Sequence, residues 1–506
     1  MTISTITLLA LLVSGALYLA IGWRIHRRAT SLDDQLPLTS AQRQARIMNS
    51  GEFSAATVAT TISLATVILA YTELASYMGT WLFWTVLTTA LGIVCVRAAA
   101  PAIWRKMQAR GALRPTLHEF IGDAYGSPTL VRGAAFCTSI GFIGALAVEL
   151  TVGSRFMASL VPEMPIWLSL LLLCGIGVGY TMLGGFRAVV VTDRLQMVAI
   201  WLAIAALMVL VAHSLWRGAG SISLLRSLPP TVYDFSWREG LGSFLLGIAI
   251  INIPTFLGDM SIWQRIAASK DEATVRDGLR GSVVAATVSW SALAAIACVL
   301  VALVVVKDGE NPLLTYLLQE SASGGVLVGV LLFVVMLGLY GASLSTASTQ
   351  LIAAGHAIHT DLLRSGHERI ALASSAHELR FSRYILGLSA LLAVAIVEGL
   401  RLLGFSIADL VFAVYGSQLG LVPVVILALY VAPERLKTLG SSPTIAVIAG
   451  FLAGWGAAAY GKLVGSADLI FLAPLASLAT SSLLLAIGLA LSPKAERGAL
   501  VEPVDQ

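Results

Sequence analysis

Gly184-Gly185-Phe186-Arg187-Ala188-Val189-Val190-Val191-Thr192-Asp193-Arg194-Leu195-Gln196 lies between two long apolar runs. Thr192, Asp193 and Gln196 fall where the second run should already be entering a membrane helix. An ionisable group at a helix centre costs about 2.5–3.5 kcal/mol on insertion scales, and less towards an end. Such a group inside a membrane is by default a functional candidate. The polar residues of this stretch therefore need explaining as much as the apolar runs around it.

The apolar pattern continues in both directions. The 506 residues are 57% hydrophobic and only 12% charged, with a mean hydropathy of +0.86. Soluble domains carry about 25% charged residues. Repeated runs of roughly 20 apolar residues each match a hydrocarbon core of about 30 Å. The short alternating segments of a β-barrel are absent. The fold class is thus an all-α membrane protein, with thirteen candidate spans near 4–23, 53–76, 81–100, 133–153, 165–183, 189–216, 240–260, 281–306, 324–355, 382–403, 407–431, 441–462 and 467–491. The first run has no basic residues before it and is followed by Arg24, Arg27 and Arg28, so it reads as a span and not as a signal peptide.

Basic residues set the orientation. With the N-terminus outside, the inner segments carry 25 Lys and Arg and the outer ones seven. The positive-inside rule then places the N-terminus outside and the C-terminus in the cytoplasm, in a multi-pass cell (inner) membrane protein. The longest loop, near 101–132, is amphipathic and too short for a second globular domain, so 1–506 reads as one transmembrane unit. A net charge of +4 is weak grounds for nucleic-acid binding. Cys95, Cys137, Cys174 and Cys298 stand singly and read as small core residues. His356 and His359 with Asp361 are too few ligands for a metal site. No P-loop, Rossmann glycine run or nucleophile elbow occurs, so neither an enzyme nor an organic cofactor is expected.

The G-G-hydrophobic-R-A-V-x-x-T-D-x-x-Q string resembles the signature of the sodium/solute symporter family, which includes the sodium/proline and sodium/galactose transporters. Other patches agree. Pro115-Thr116-Leu117-His118-Glu119-Phe120 with Tyr125-Gly126-Ser127 is similar to the family's T-x-x-E-F…G-S segment. Ile262-Trp263-Gln264-Arg265-Ile266-Ala267-Ala268-Ser269-Lys270 is similar to its I-x-Q-R-x-L-A-A-K segment. Ala342-Ser343-Leu344-Ser345-Thr346-Ala347-Ser348-Thr349-Gln350, running on to Thr360-Asp361-Leu362, resembles the segment that supplies sodium ligands. The resemblance implies a leucine-transporter-like inverted repeat of five plus five helices. The first repeat would span about 53–216 and the second about 240–431. An extra N-terminal helix would occupy 1–23, with two further helices at 441–491 and a cytoplasmic tail at 492–506.

Residue by residue, the resemblance implies a sodium site from Ala342 (through its carbonyl), Ser345 and Thr346, faced by the carbonyls of Thr66 and Leu69. Sodium prefers hard oxygen donors of this kind. Span two has no Gly or Pro from Phe53 to Met78, so unwinding there requires something to compensate the freed carbonyls, and a bound cation can do that. Glu73 and Asp259 match substrate-contact positions, and Glu149 replaces a Gln common in the family. Asp193 lies, by similarity, beside the inward exit route for sodium; an inner-surface pair with Arg187 or Arg194 is the plainer alternative. For Glu73 and Glu149 the plainer alternative is snorkelling at helix ends or pairing with Arg155. Pro254 and Gly258 are natural places for span seven to break. Acidic groups facing a central cavity would suit an amine, helped by aromatic faces such as Tyr71, Tyr77 or Trp263.

The function implied is sodium-coupled symport of a small organic solute, with an amine-bearing or cationic compound slightly favoured. Two alternatives stay open here. One is a proton-coupled or sodium-independent transporter using Glu73 or Glu149; the other is a non-transporting solute sensor or partner subunit, which an unbroken span two would favour.

Overall fold

With no water in a bilayer core to bond the backbone, a spanning chain must satisfy its own N–H and C=O groups, and helices do so within one segment. The computed structural model is accordingly helical, and it describes residues 2–39, 48–109, 111, 113–217, 230–304, 310–365, 369–403 and 407–492. Among these residues the only β pairings are isolated bridges, Thr39 with Leu113 and Met48 with Ser269. The tail from 493 onward and loop positions such as Arg226 and Lys307, which entered the charge count, lie outside the described residues.

In chain order the principal helices are α1 (Ile3–His26), α2 (Ser50–Thr61), α3 (Ala70–Met78), α4 (Phe83–Gln108), α5 (Leu117–Tyr125) and α6 (Pro128–Leu160). There follow α7 (Ile166–Arg217), α8 (Leu241–Asn252), α9 (Met260–Ala268), α10 (Glu272–Leu303), α11 (Pro312–Ser323) and α12 (Val326–His356). The last are α13 (Ala376–Leu403), α14 (Ile407–Ser417), α15 (Val422–Tyr430), α16 (Ser442–Val464) and α17 (Ala473–Leu491).

Eleven stretches of the described residues are long and apolar enough to cross a membrane. Two of them exceed one crossing. Ile166–Arg217 has 52 residues, about 78 Å of helix at 1.5 Å per residue. It turns at Gly185, whose φ of 58° suits glycine. A Cβ there would lie 2.7 Å from the Gln35 backbone, while the next N–H, of Phe186, bonds the Gln35 carbonyl at 2.9 Å. The Gly-Gly pair of the signature is thus a turn pressed against the chain that follows α1. Leu64–Gln108 likewise turns at Gly79, with φ 51°.

Burial ranks the helices. Of the most apolar window of α6, 89% is buried, against 28% for α17, so α6 runs through the centre of the bundle and α17 along its edge. Two helices are interrupted. Helix α2 ends at Ile62 and restarts at Ser63, passing through a π-helical turn (Leu64–Leu69) into α3. Helix α8 gives way at Ile253-Pro254 to a short turn (Thr255–Gly258) and restarts at Asp259 as α9. Helix α12 packs along α7, and small residues permit the approach: a Cβ on Gly338 would sit 2.2 Å from that of Ala203.

Candidate functional site

The two interruptions face one cavity. Its lining includes Thr57, Thr60, Thr61, Ser63, Thr66 and Tyr71 from the α2–α3 side, and Asp259, Ser261 and Arg265 from the α8–α9 side. Phe244, Asn252, Phe256, Trp290, Gln350, Phe412, Tyr415 and Gln418 complete an aromatic and amide wall. Hydroxyl and amide groups over apolar faces are the mixture expected of a site for a small organic molecule.

Beside the cavity, oxygen atoms from three helices converge. Ser345 Oγ on α12 donates to Asp193 Oδ1 on α7 at 2.7 Å. Thr346 Oγ1 donates to the Thr60 carbonyl at 3.4 Å, in the last turn of α2 before the break. Ala342, one turn earlier on α12, is fully buried. Asp193 Oδ2 and Thr57 Oγ1 are buried and have no hydrogen-bond partner among the described residues. Carboxyl, hydroxyl and carbonyl oxygens with unused capacity are the hard donors a sodium ion prefers.

The structure places the sequence-derived residues unevenly. Ala342, Ser345, Thr346 and Asp193 come together. The break in span two lies at Ile62–Ser63, several residues before the Thr66–Leu69 pair expected to supply carbonyls. The Leu69 carbonyl is already bonded by Asn311 Nδ2 at 3.1 Å and by Thr72 Oγ1 at 2.9 Å, and the Thr66 N–H bonds Ser63 Oγ at 2.9 Å. The carbonyl that faces Thr346 is that of Thr60, because an interrupted helix leaves free the carbonyls that precede the break. Glu73 does not line the cavity; it is exposed on α3 and hydrogen-bonded to Asn311. Asp259 does line the cavity, and its carboxylate accepts the Ser261 N–H at 2.7 Å.

Glu149 is buried and lies behind the break, not on the cavity wall. Ser63 Oγ donates to its Oε2 at 2.5 Å and the Leu64 N–H to its Oε1 at 3.1 Å. The Ala65 N–H and the Ser343 hydroxyl are further partners. Pairing of Glu149 with Arg155 does not occur in this arrangement. Pairing of Asp193 with Arg187 or Arg194 does not either, since both arginines turn to Glu52, at 2.9 Å and 3.7 Å.

Of the aromatic candidates, Tyr71 lines the cavity, with its hydroxyl bonded to Thr85 Oγ1. Tyr77 is exposed and bonds the Glu239 carbonyl, and Trp263 is buried with its indole N–H on the Leu257 carbonyl at 2.9 Å. The three residues weighed as metal ligands go to separate partners: His356 to Gln264, His359 to Glu378, and Asp361 to His118 and Thr116.

Arg265 was not singled out from the sequence, although it sits in the quoted Gln264-Arg265 segment. It is 3% exposed and lines the cavity. Its guanidinium donates to Thr60 Oγ1 at 2.8 Å, to Ser261 Oγ at 3.3 Å and to Thr349 Oγ1 at 3.5 Å, and it interacts electrostatically with Asp193 and Asp259. The threonines Thr57 and Thr60 were also missed; their signal was a cluster of hydroxyls just ahead of Ser63.

A family model described as the sodium:solute symporter family matches residues 45–441. The chain belongs to that family. A curated relative, the sodium/pantothenate symporter of Escherichia coli (strain K12), is 28% identical over 142 residues; the match spans 26% of this chain and 29% of that protein. Among solved structures, a Na+-coupled sialic acid symporter in a substrate-bound outward-open state superposes with a TM-score of 0.74 at 15% identity, covering 96% of this chain and 98% of that one. MHP1, a nucleobase-cation-symport-1 family transporter in a closed conformation with bromovinylhydantoin, gives a TM-score of 0.51 at 14% identity, covering 91% and 96%. The chain therefore has a leucine-transporter-like fold and is a multi-pass membrane protein.

Proposed function

We propose that this family member is a secondary active transporter that couples sodium entry to uptake of a small organic solute. The observation that carries the reading is the oxygen cluster joining three helices: Ser345 to Asp193, and Thr346 to the Thr60 carbonyl at the α2 break. A sodium ion held by Ser345, Thr346, Asp193 and the carbonyls of Ala342 and Thr60 would tie α12 to α2 and α7 together. Binding there would favour one arrangement of the broken helices and raise affinity for solute in the adjoining cavity, which is a coupling free energy between two sites. The solute would sit between Asp259 and the aromatic wall of Trp290 and Tyr415. Division of the long runs at Gly79 and Gly185 gives thirteen crossings, with the N-terminus outside and the C-terminus in the cytoplasm.

The interruption of span two removes the feature that favoured a non-transporting sensor. Glu149, the other carboxylate considered for proton coupling, is held by Ser63, Leu64, Ala65 and Ser343 behind the break and does not line the cavity.

The test is thermal stabilisation of the purified protein by a solute library in sodium and in potassium at matched ionic strength, since a ligand raises apparent stability by mass action. The expected result is a solute whose stabilisation is enhanced by sodium, followed by sodium-gradient-driven uptake of that solute in proteoliposomes. Stabilisation indifferent to sodium, with uptake driven by an imposed pH gradient, would contradict it.

A further inference from the structure

Glu52, Ala56 and Thr60 recur every four residues along α2 and so share one of its faces. At the end of that face nearer the break, Thr346 donates to the Thr60 carbonyl, beside the contact of Ser345 with Asp193. At the other end, eight residues or about 12 Å along the helix, Glu52 Oε1 receives Arg187 at 2.9 Å and Arg194 at 3.7 Å. Both arginines belong, with Asp193, to the signature stretch of α7. The seam between α2 and α7 therefore carries an ion pair at one height and the oxygen cluster at another.

Both partners of the ion pair are held in place. Glu52 is 3% exposed, and its other oxygen accepts the Asn49 N–H at 3.2 Å, which fixes the carboxylate at the start of α2. Arg187 comes directly after the Gly185–Phe186 turn that is bonded to Gln35. Its Nη1 is buried with no hydrogen-bond partner among the described residues, while Nη2 meets Glu52. A hydrogen bond between charged groups of this kind is roughly twice as strong as a neutral one. On its other flank α2 is fastened to α9, through the Met48 N–H on the Ala268 carbonyl at 2.9 Å and Arg265 on Thr60 Oγ1 at 2.8 Å. Neither of those bonds crosses the seam, so α2 can part from α7 while keeping its hold on α9.

We infer that Glu52 and Arg187 are positioning residues of the transport cycle, whose ion pair closes the cytoplasmic end of the α2–α7 seam while sodium closes the end beside the cavity. Either tie alone keeps the seam predominantly shut, and release to the cytoplasm requires both to part. The inference rests on the sodium-coupled reading and the orientation proposed above. Glu52 touches neither ion nor solute; it acts by holding α2 against α7.

Ala56→Cys puts a thiol on the shared face between the two ties, at a fully buried position. The full-length protein in inside-out vesicles is labelled with a charged, membrane-impermeant methanethiosulfonate, and the chain without Ala56→Cys serves as the blank for the four native cysteines. With Glu52 present, the expected labelling is slow in sodium and in potassium. With Glu52→Gln it rises about tenfold in potassium, a hydrogen bond to a charged group being worth about that or more, and sodium returns it to near the slow rate. Gln still accepts the Asn49 N–H, so a residue that only caps α2 gives no rise. Arg187→Gln is expected to reproduce the rise, and its combination with Glu52→Gln to add nothing, because the two changes remove one interaction. No rise in potassium with Glu52→Gln, or rises that multiply in the combination, overturns the inference. If Ala56→Cys does not fold, Thr57→Cys, the next residue and one that lines the cavity, carries the label. A rise with Glu52→Gln that sodium fails to reverse upholds the ion pair as a closing tie and counts against the sodium site instead.

Discussion

At the break between α8 and α9 the chain caps itself, since Asp259 accepts the N–H of Ser261 two residues on. At the break between α2 and α3 the corresponding carboxylate, Glu149, arrives from α6, 86 residues beyond Ser63. The α8–α9 interruption is announced locally by Pro254, which cannot donate a backbone hydrogen bond, and by Gly258 and a capping Asp. The α2–α3 interruption occurs in a stretch of Ile, Leu, Ala and Thr with no helix breaker, and it persists because tertiary partners satisfy the groups that unwinding exposes. The difference teaches that one half of the cavity is built by local chemistry and the other by packing. The packed half is the one joined to the oxygen cluster at Thr60, so it is the half whose geometry a bound cation can bias.

That contrast can be attacked by substitution. The largest expected effect is from Glu149→Ala, which strands the donors of Ser63, Leu64 and Ala65 in a buried site. At roughly 1–3 kcal/mol for each unsatisfied buried group, and with water recovering part, the loss is about 3 kcal/mol or more in thermal or denaturant unfolding. Ser63→Ala removes the cap on the Thr66 N–H together with one donor to Glu149, for about 2 kcal/mol. Asp259→Ala deletes a local cap and one of the two carboxylates facing Arg265, and is expected to cost about 2 kcal/mol by the same measurement. An Asp259→Ala loss larger than that of Glu149→Ala would erase the distinction between a self-capped and a packed break. The smallest stability effect is expected from Ser345→Ala combined with Thr346→Ala in potassium, within about 1 kcal/mol, since each removes one side-chain hydrogen bond; the pair should nevertheless abolish the extra stabilisation given by sodium.

The apolar runs made the helical membrane fold legible, because hydrocarbon leaves the backbone few alternatives. The signature marked residues that the fold uses, since Asp193 and Ser345, 152 residues apart, meet, and Gly185 turns the chain between two apolar runs. Pro254 and Gly258 made the α8–α9 break legible, while Asp259 was picked out by the resemblance alone. The position of the α2–α3 break was not legible, because nothing between Phe53 and Met78 disfavours a helix in isolation, and its cause is a side chain on another element. Glu73 was placed in the cavity by a motif match one turn or more from the actual break, and a helix turns a residue out of a site within that distance. Arg265 was passed over since a charged residue after an apolar run normally reads as a surface anchor; here its partners Asp193 and Asp259 draw it inward.

The most direct test of the central claim is equilibrium binding of radiolabelled sodium to the purified protein, compared with Ser345→Ala, Thr346→Ala and Asp193→Asn. The account predicts saturable sodium binding in the wild type, competed by unlabelled sodium but not by potassium, and a loss of at least tenfold in affinity in each variant, equivalent to about 1.4 kcal/mol. Unchanged sodium affinity in all three variants, or no saturable binding in the wild type, would contradict it.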